Sequence, residues 1–188
     1  MNLIEQIERY QPYNEQEEKD KQTILKYINT FDDVLTRKNE FGHFTASSWV
    51  LNKERTKVLM IYHNIYKSWA WTGGHADGDT DLLHTAIREL KEETGVKNVK
   101  VLDDDIFSLE IVCVNGHMKR GEYVSSHVHL NLTFLLEVDE NETLKMKEDE
   151  NSGVKWINIE DVEKVSNEKW IKENIYRKLN EKLKNKGF

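Results

Sequence analysis

Gly73-Gly74-His75-Ala76-Asp77-Gly78-Asp79-Thr80, followed after seven residues by Arg88-Glu89-Leu90-Lys91-Glu92-Glu93-Thr94-Gly95-Val96, is the most informative segment of the chain. Leu83, Ala86, Ile87 and Leu90 recur at helical spacing and predict a helix over 80–94. Thr80 or Asp79 is suited to N-cap it, and Gly95 closes it where a left-handed residue is favoured. Glu89, Glu92 and Glu93 stand at i, i+3 and i+4, so three carboxylates crowd one face. Like charges at that spacing cost a few tenths of a kcal/mol per pair, roughly the size of the favourable opposite-charge effect. The face is either ordinary solvated surface or a site for hard divalent cations, which prefer carboxylate oxygens. The upstream glycines let backbone approach a ligand closely, and Arg88 adds a cation beside the cluster.

Outward from this stretch, His43–Leu51 and Lys57–Tyr62 read as strands joined by a turn at Asn52–Thr56. Tyr66, Trp69 and Trp71 precede the glycines and are suited to stack on a nucleobase or to pack in the core. The first 40 residues read as two helices separated by Pro12. Their apolar faces are Leu3, Ile4 and Ile7, then Ile24, Leu25, Ile28 and Phe31, docked on their own domain rather than on a partner. Downstream, Ile106–Val114 and Ser125–Val138 read as long strands around a polar loop, Asn115–Glu122. Lys119 and Arg120 in that loop either clamp a diphosphate or are merely solvated. Cys113, in the run Leu109–Val114, reads as a small buried apolar residue rather than a nucleophile. His127 and His129 share one side of a strand, facing phosphate, base or metal, or forming a plain polar face. His75, beside Gly74, is the histidine best placed for function, and His84 reads as surface. An acidic loop, Glu148–Gly153, leads to a strand at Val154–Ile159. A final helix over 167–186 carries Trp170, Ile171, Ile175 and Leu179 on its apolar side. This irregular alternation predicts a mixed sheet between helical layers.

The 188 residues carry 27 Lys plus Arg and 34 Asp plus Glu, for a net charge of −7, and 32% are charged. That balance excludes a membrane protein and disfavours a nucleic-acid binder, which normally shows a basic excess. The single cysteine forbids an intrachain disulfide, and the first residues lack a basic segment followed by an apolar one. A cytoplasmic location is the expectation.

The segment Gly74–Val96 resembles the signature of the Nudix hydrolases: glycine, five residues, glutamate, seven residues, then Arg-Glu-bulky-any-Glu-Glu-any-Gly-bulky. The match departs from the family only at Thr80, where the family has glutamate. The looser resemblance runs from about Phe41 to Val162. It implies an α/β fold, a Nudix-like α/β/α sandwich with a mixed β-sheet and helical extensions at both ends. Residues 1–40 would be a helical N-terminal extension, and 41–188 the Nudix hydrolase domain with its C-terminal helix.

By position, Glu89, Glu92 and Glu93 resemble the family's Mg²⁺ or Mn²⁺ ligands and the Gly74 carbonyl its backbone ligand. Arg88 resembles the arginine that orients the glutamates. Thr80 puts an auxiliary contact in doubt, for which Asp77 or Asp79 is a substitute. Glu150 stands in an acidic loop where the family often has a catalytic or metal-binding glutamate and is the candidate general base, or the loop is merely solvated; Glu92 or Glu93 can also fill that role. His75, His127, His129, Trp71, Lys119 and Arg120 are the candidate substrate contacts.

The implied activity is metal-dependent cleavage, by water attack at phosphorus, of the pyrophosphate bond of a nucleoside diphosphate linked to another moiety. The alternatives are a non-hydrolytic relative, namely an isopentenyl-diphosphate isomerase-like enzyme using Cys113, or a nucleotide-sensing module. The partner is a small-molecule nucleotide or derivative, with no membrane and no stable nucleic-acid partner. The N-terminal helices either complete the pocket or make a homodimer.

Overall fold

The computed structural model describes residues 2–119 and 121–187. Two helices open the chain, α1 (Leu3–Arg9) and α2 (Glu15–Ile28), each started by an asparagine cap, Asn2 and Asn14. The strands are β1 (Gly42–Leu51), β2 (Lys57–His63), β3 (Ser68–Ala70), β4 (Thr72–His75), β5 (Lys100–Val114), β6 (His117–Lys119), β7 (Glu122–Val124), β8 (His127–Glu137) and β9 (Asn151–Asn158). Helix α3 (Leu82–Thr94) follows β4. The chain closes with α4 (Val162–Val165), α5 (Lys169–Ile171), a π-helical turn (Lys172–Tyr176) and α6 (Arg177–Asn185).

Seven strands form one mixed sheet in the order β3-β2-β1-β8-β5, with β4 paired to β1 and β9 to β2. β1 and β8 run parallel from Gly42↔Val128 to Leu51↔Glu137, and the other pairings are antiparallel. β1 and β2 are bridged at Leu51↔Val58 and then diverge, β1 taking β4 and β2 taking β3. That divergence carries Gly73 and Gly74 to the middle of the sheet.

The two faces of β1 are sorted by residue parity, as a pleated strand requires. Val50 packs with Leu90 of α3, and Phe44 and Ala46 with Leu82 and Ala86. Trp49 and Leu51 pack instead with Tyr176, Leu179 and Leu183 of the C-terminal helix. The layering is therefore the expected α/β/α. Ile7 and Ile24 of the N-terminal helices are fully buried in the same cluster as Phe44 and Leu109. Asp20 of α2 accepts the Ile111 amide at 3.0 Å, so this helix protects the edge strand β5.

Several elements differ from the sequence reading. The N-cap of α3 is Asp81, whose side chain accepts from the His84 amide, rather than Thr80 or Asp79. Asp79 instead accepts from the Asp81 amide and the His84 ring, and Thr80 is exposed. β5 begins at Lys100, before Ile106, because register shifts around Asp103 break the alternation that marks a strand. The predicted loop Asn115–Glu122 contains most of the hairpin β6–β7. β9 begins at Asn151, three residues before Val154. Ile4, Phe31 and Trp170 are exposed rather than docked. Phe31 lies past the end of α2 against Tyr27, and the π-turn after α5 shifts the buried face to Ile175, Tyr176, Leu179 and Leu183. Cys113 is exposed rather than buried, two residues past the point where Asp20 covers the edge of β5.

Candidate active site

Helix α3 presents Glu89, Glu92 and Glu93 to a cleft of about 580 Å³ whose lining also includes Gly73, Gly74 and Glu150. The helix is held from both ends, by the Asp81 cap and by Gly95 at φ 75°. A Cβ at 73 would stand 2.6 Å from the Ala46 carbonyl oxygen and 2.8 Å from the Ser47 Cα, so the backbone there demands glycine, whereas a Cβ at 74 would stand 2.3 Å from the Glu89 carboxyl carbon and displace that carboxylate. The Gly73 amide donates to Glu93 Oε2 at 2.9 Å, and Asn151 Nδ2 donates to the Glu93 carbonyl at 3.0 Å. Strand β4, helix α3 and the start of β9 are thereby tied at one point.

Arg88 Nη1 lies 2.8 Å from Glu89 Oε1 and 3.4 Å from Glu92 Oε1. Lys147 Nζ lies 3.3 Å from Glu92 and 2.9 Å from Glu150, bridging the helix to the acidic loop. Burial pushes the Glu89 carboxyl above its ordinary value despite Arg88. Burial, reinforced by Glu89 and Glu150, pushes the Glu93 carboxyl well above the usual range despite its bond from Gly73. Packed oxygens that resist ionisation without a compensating cation suit a hard divalent ion such as Mg²⁺ or Mn²⁺.

Of the predicted substrate contacts, His75, His129, Trp71 and Lys119 line the cleft, as does Tyr66. His127 stands next to His129, and His84 is on the surface. Arg120 lies outside the described residues. Burial, with His43 beside it, holds His75 at about 3. Burial, with His75, His43 and His127 around it, holds His129 at about 2, so both rings are neutral at neutral pH. Trp71 meets Tyr176 edge-on at 5.5 Å, whereas Trp69 packs on Tyr62 and under Lys155. Asp77 lines the cleft but is paired with Arg37 at 2.7 Å. Cys113 also lines the cleft.

Sequence reasoning missed Lys147, Thr45, Ser47 and Asn131. Lys147 was legible in part, since it stands i, i+3 to Glu150. Thr45 and Ser47 donate to Asn131 Oδ1 at 3.0 and 2.8 Å, and Asn131 donates to Glu110 at 3.1 Å. Those partners are far apart in sequence and meet only through the pairing of β1, β8 and β5.

Fold and site together define an α/β protein built around a glycine loop and a glutamate-bearing helix. The chain belongs to the NUDIX domain family, whose family model matches residues 42–179. It is 30% identical over 139 residues to an RNA pyrophosphohydrolase of Pelagibacter ubique (strain HTCC1062), covering 72% of this chain and 87% of that protein. It is 28% identical over 145 residues to a probable DHNTP pyrophosphohydrolase of Lactococcus lactis subsp. cremoris (strain MG1363), covering 75% of this chain and 81% of the relative. Among solved structures, an Ap4A hydrolase of C. elegans superposes with a TM-score of 0.53 at 20% identity, covering 77% of this chain and 98% of that one. No helix among the described residues is long and apolar enough to cross a membrane.

Proposed function

We propose that this chain is a Nudix-type pyrophosphohydrolase acting on phosphoric anhydrides, cleaving a nucleoside diphosphate linked to another moiety by water attack at phosphorus. The observation that carries this reading is the convergence of Glu89, Glu92, Glu93, Glu150 and the Gly74 backbone on one cleft. Glu89, Glu92, Glu93 and the Gly74 carbonyl would hold Mg²⁺ or Mn²⁺. When bound, the ion neutralises diphosphate charge and lowers the pKa of a bound water.

The protein's own residues then do the positioning. Arg88 fixes Glu89 and Glu92 on the rail. Lys147 bridges Glu150 to Glu92, a contact that supports Glu150 as the group that takes the proton from the attacking water, with Glu92 or Glu93 as the alternative. Lys119 and Trp71 line the cleft and would contact the phosphates and the base, with Arg120 a further phosphate contact proposed from sequence alone. His75 and His129 are neutral, which suits hydrogen bonding more than ion pairing. Residues 1–40 act as an extension that covers β5 rather than as an independent unit, and 41–188 form the hydrolase domain. The site of action is the cytoplasm, and the substrate is a small nucleotide or derivative.

The isomerase-like and sensing alternatives are not favoured. The glutamates are intact, and the curated relatives are named as hydrolases.

The test is phosphate and pyrophosphate release across a panel: nucleoside triphosphates, ADP-ribose, dinucleoside polyphosphates and nucleotide sugars, with and without Mg²⁺. Glu92→Gln and Glu93→Gln should each lower Mg²⁺-dependent turnover by orders of magnitude in a folded protein. Full activity in both variants refutes the helix as the metal rail.

A further inference from the structure

Four imidazoles that the glutamate chemistry does not use meet beside the cleft: His43, His75, His127 and His129. They come from three strands, β1, β4 and β8. His43 and His129 are direct partners in the parallel pair, and Thr45, two residues on, is opposite His75. Because alternate residues share a face, this register brings the rings together. Ring centroids are 5.1 Å apart for His43–His75, 5.3 Å for His43–His129, 4.9 Å for His75–His129 and 5.0 Å for His127–His129. One ring nitrogen from each of His43, His75 and His129 lies within 4.8 Å of the other two.

The hydrogen bonds define which nitrogens are free. His43 Nδ1 is 2.9 Å from the Asn39 carbonyl. A carbonyl only accepts, so Nδ1 carries the proton and Nε2 of the neutral ring is a bare lone pair. His43 is 4% exposed, and its Nε2 has no hydrogen-bond partner. A buried acceptor left without a partner calls for an explanation. His127 shares only the far-side contact, with Nδ1 2.8 Å from the Ser125 carbonyl; its Nε2 accepts a hydrogen bond from Nε2 of His129 at 3.2 Å, which fixes the proton of His129 on that nitrogen and leaves its Nδ1 as the lone pair. A backbone carbonyl on the far nitrogen is what orients imidazoles that bind metals.

We propose that His43, His75 and His129 form a second metal site, for a borderline d-block cation such as Zn²⁺, with its fourth position left to water. Imidazole nitrogen selects Zn²⁺, Co²⁺, Ni²⁺ or Cu²⁺, whereas Mg²⁺ takes oxygen, so the two sites sort their ions by ligand chemistry. The nearby carboxylate of Asp77 is already paired with Arg37 and adds no oxygen ligand. His75 and His129 line the cleft, so an ion here adds fixed positive charge to the wall that receives an anionic substrate. The site does not depend on the hydrolase reading.

The test uses the full chain without an affinity tag, stripped with chelator and titrated with Co²⁺ in excess Mg²⁺ to satisfy the carboxylates. A stoichiometric amount of Co²⁺ should bind with the intense visible absorption of a four-coordinate, nitrogen-ligated ion, and Zn²⁺ should displace it. His129→Ala and His43→Asn should weaken binding by about 100-fold or more, since even partners outside the ligand shell are worth about 10–100-fold. Thermal melting in metal-free buffer checks that these variants are folded, and the wild-type spectrum stands without them. Glu92→Gln should keep the spectrum. Absence of binding under excess Mg²⁺, a weak octahedral spectrum, or loss of the spectrum in Glu92→Gln would overturn the proposal.

Discussion

Replacing Glu17 by glutamine tests the structure where it departs most from an ordinary helix surface. Glu17 is fully buried, although it lies in the charged sequence of α2. Its carboxylate is 3.1 Å from Lys178 Nζ and 3.0 Å from Lys182 Nζ, and it accepts from the Tyr10 hydroxyl at 2.5 Å and the Tyr13 amide at 2.7 Å. Lys178 also pairs with Glu110 at 3.1 Å, and Glu110 leads through Asn131 to the cleft. Burial pushes the Glu17 carboxyl up, but the two ammonium groups and these hydrogen bonds outweigh it and lower the value from 4.5 to about 2. At about 1.4 kcal/mol per pH unit, that difference is worth ~3 kcal/mol at neutral pH. The figure agrees with the roughly 3–5 kcal/mol lost when one member of a buried pair is removed. For a chain of this size, ~3 kcal/mol corresponds to a fall of about 6–12 °C in Tm.

The pH dependence has a definite sign. The folded-state value is depressed, so the stabilisation is complete above about 4.5 and is lost as pH falls toward 2. Urea unfolding of wild type and Glu17→Gln should therefore differ by ~3 kcal/mol at pH 7, with the gap closing below pH 4.5. Glu17→Met combined with Lys182→Met should recover part of the loss, because an apolar pair replaces two buried charges. A gap under about 0.5 kcal/mol at pH 7, the size of an ordinary surface change, or one unchanged at low pH, would show that Glu17 is not a buried, paired carboxylate.

Further outcomes follow from other contacts. Gly74→Ala forces the Glu89 carboxylate away from its 2.3 Å overlap and should raise the Mg²⁺ concentration for half-maximal turnover by about tenfold or more, measured by metal titration. Lys147→Met removes the cation joining Glu92 to Glu150 and should lower kcat by about tenfold with KM less affected, as steady-state kinetics would show; Lys147→Arg should restore part of it. Gly95→Ala puts a side chain at φ 75°, with its Cβ 2.8 Å from Lys145, and should cost about 1–2 kcal/mol in chemical denaturation.

The local features of this protein are legible in its primary structure. The spacing of Glu89, Glu92 and Glu93, the left-handed glycine at 95 and the apolar face of α3 follow from 3.6 residues per turn within one segment. Strand and helix order, and with them the sheet between helical layers, follow from the periods of the apolar pattern. Features that rest on strand register and long-range burial emerge from how the segments pack. His43 shows no signal in its own segment; it joins His75 and His129 because β1 pairs β4 on one side and β8 on the other. Glu17 carries no sign of burial in the charged sequence of α2, because its partners, Lys178 and Lys182, are on the last helix of the chain. Cys113 sits in an apolar run yet opens to the cleft, since its exposure is set by where α2 stops covering β5. Side-chain periodicity is carried by each segment alone, whereas shared burial is a property of which segments meet.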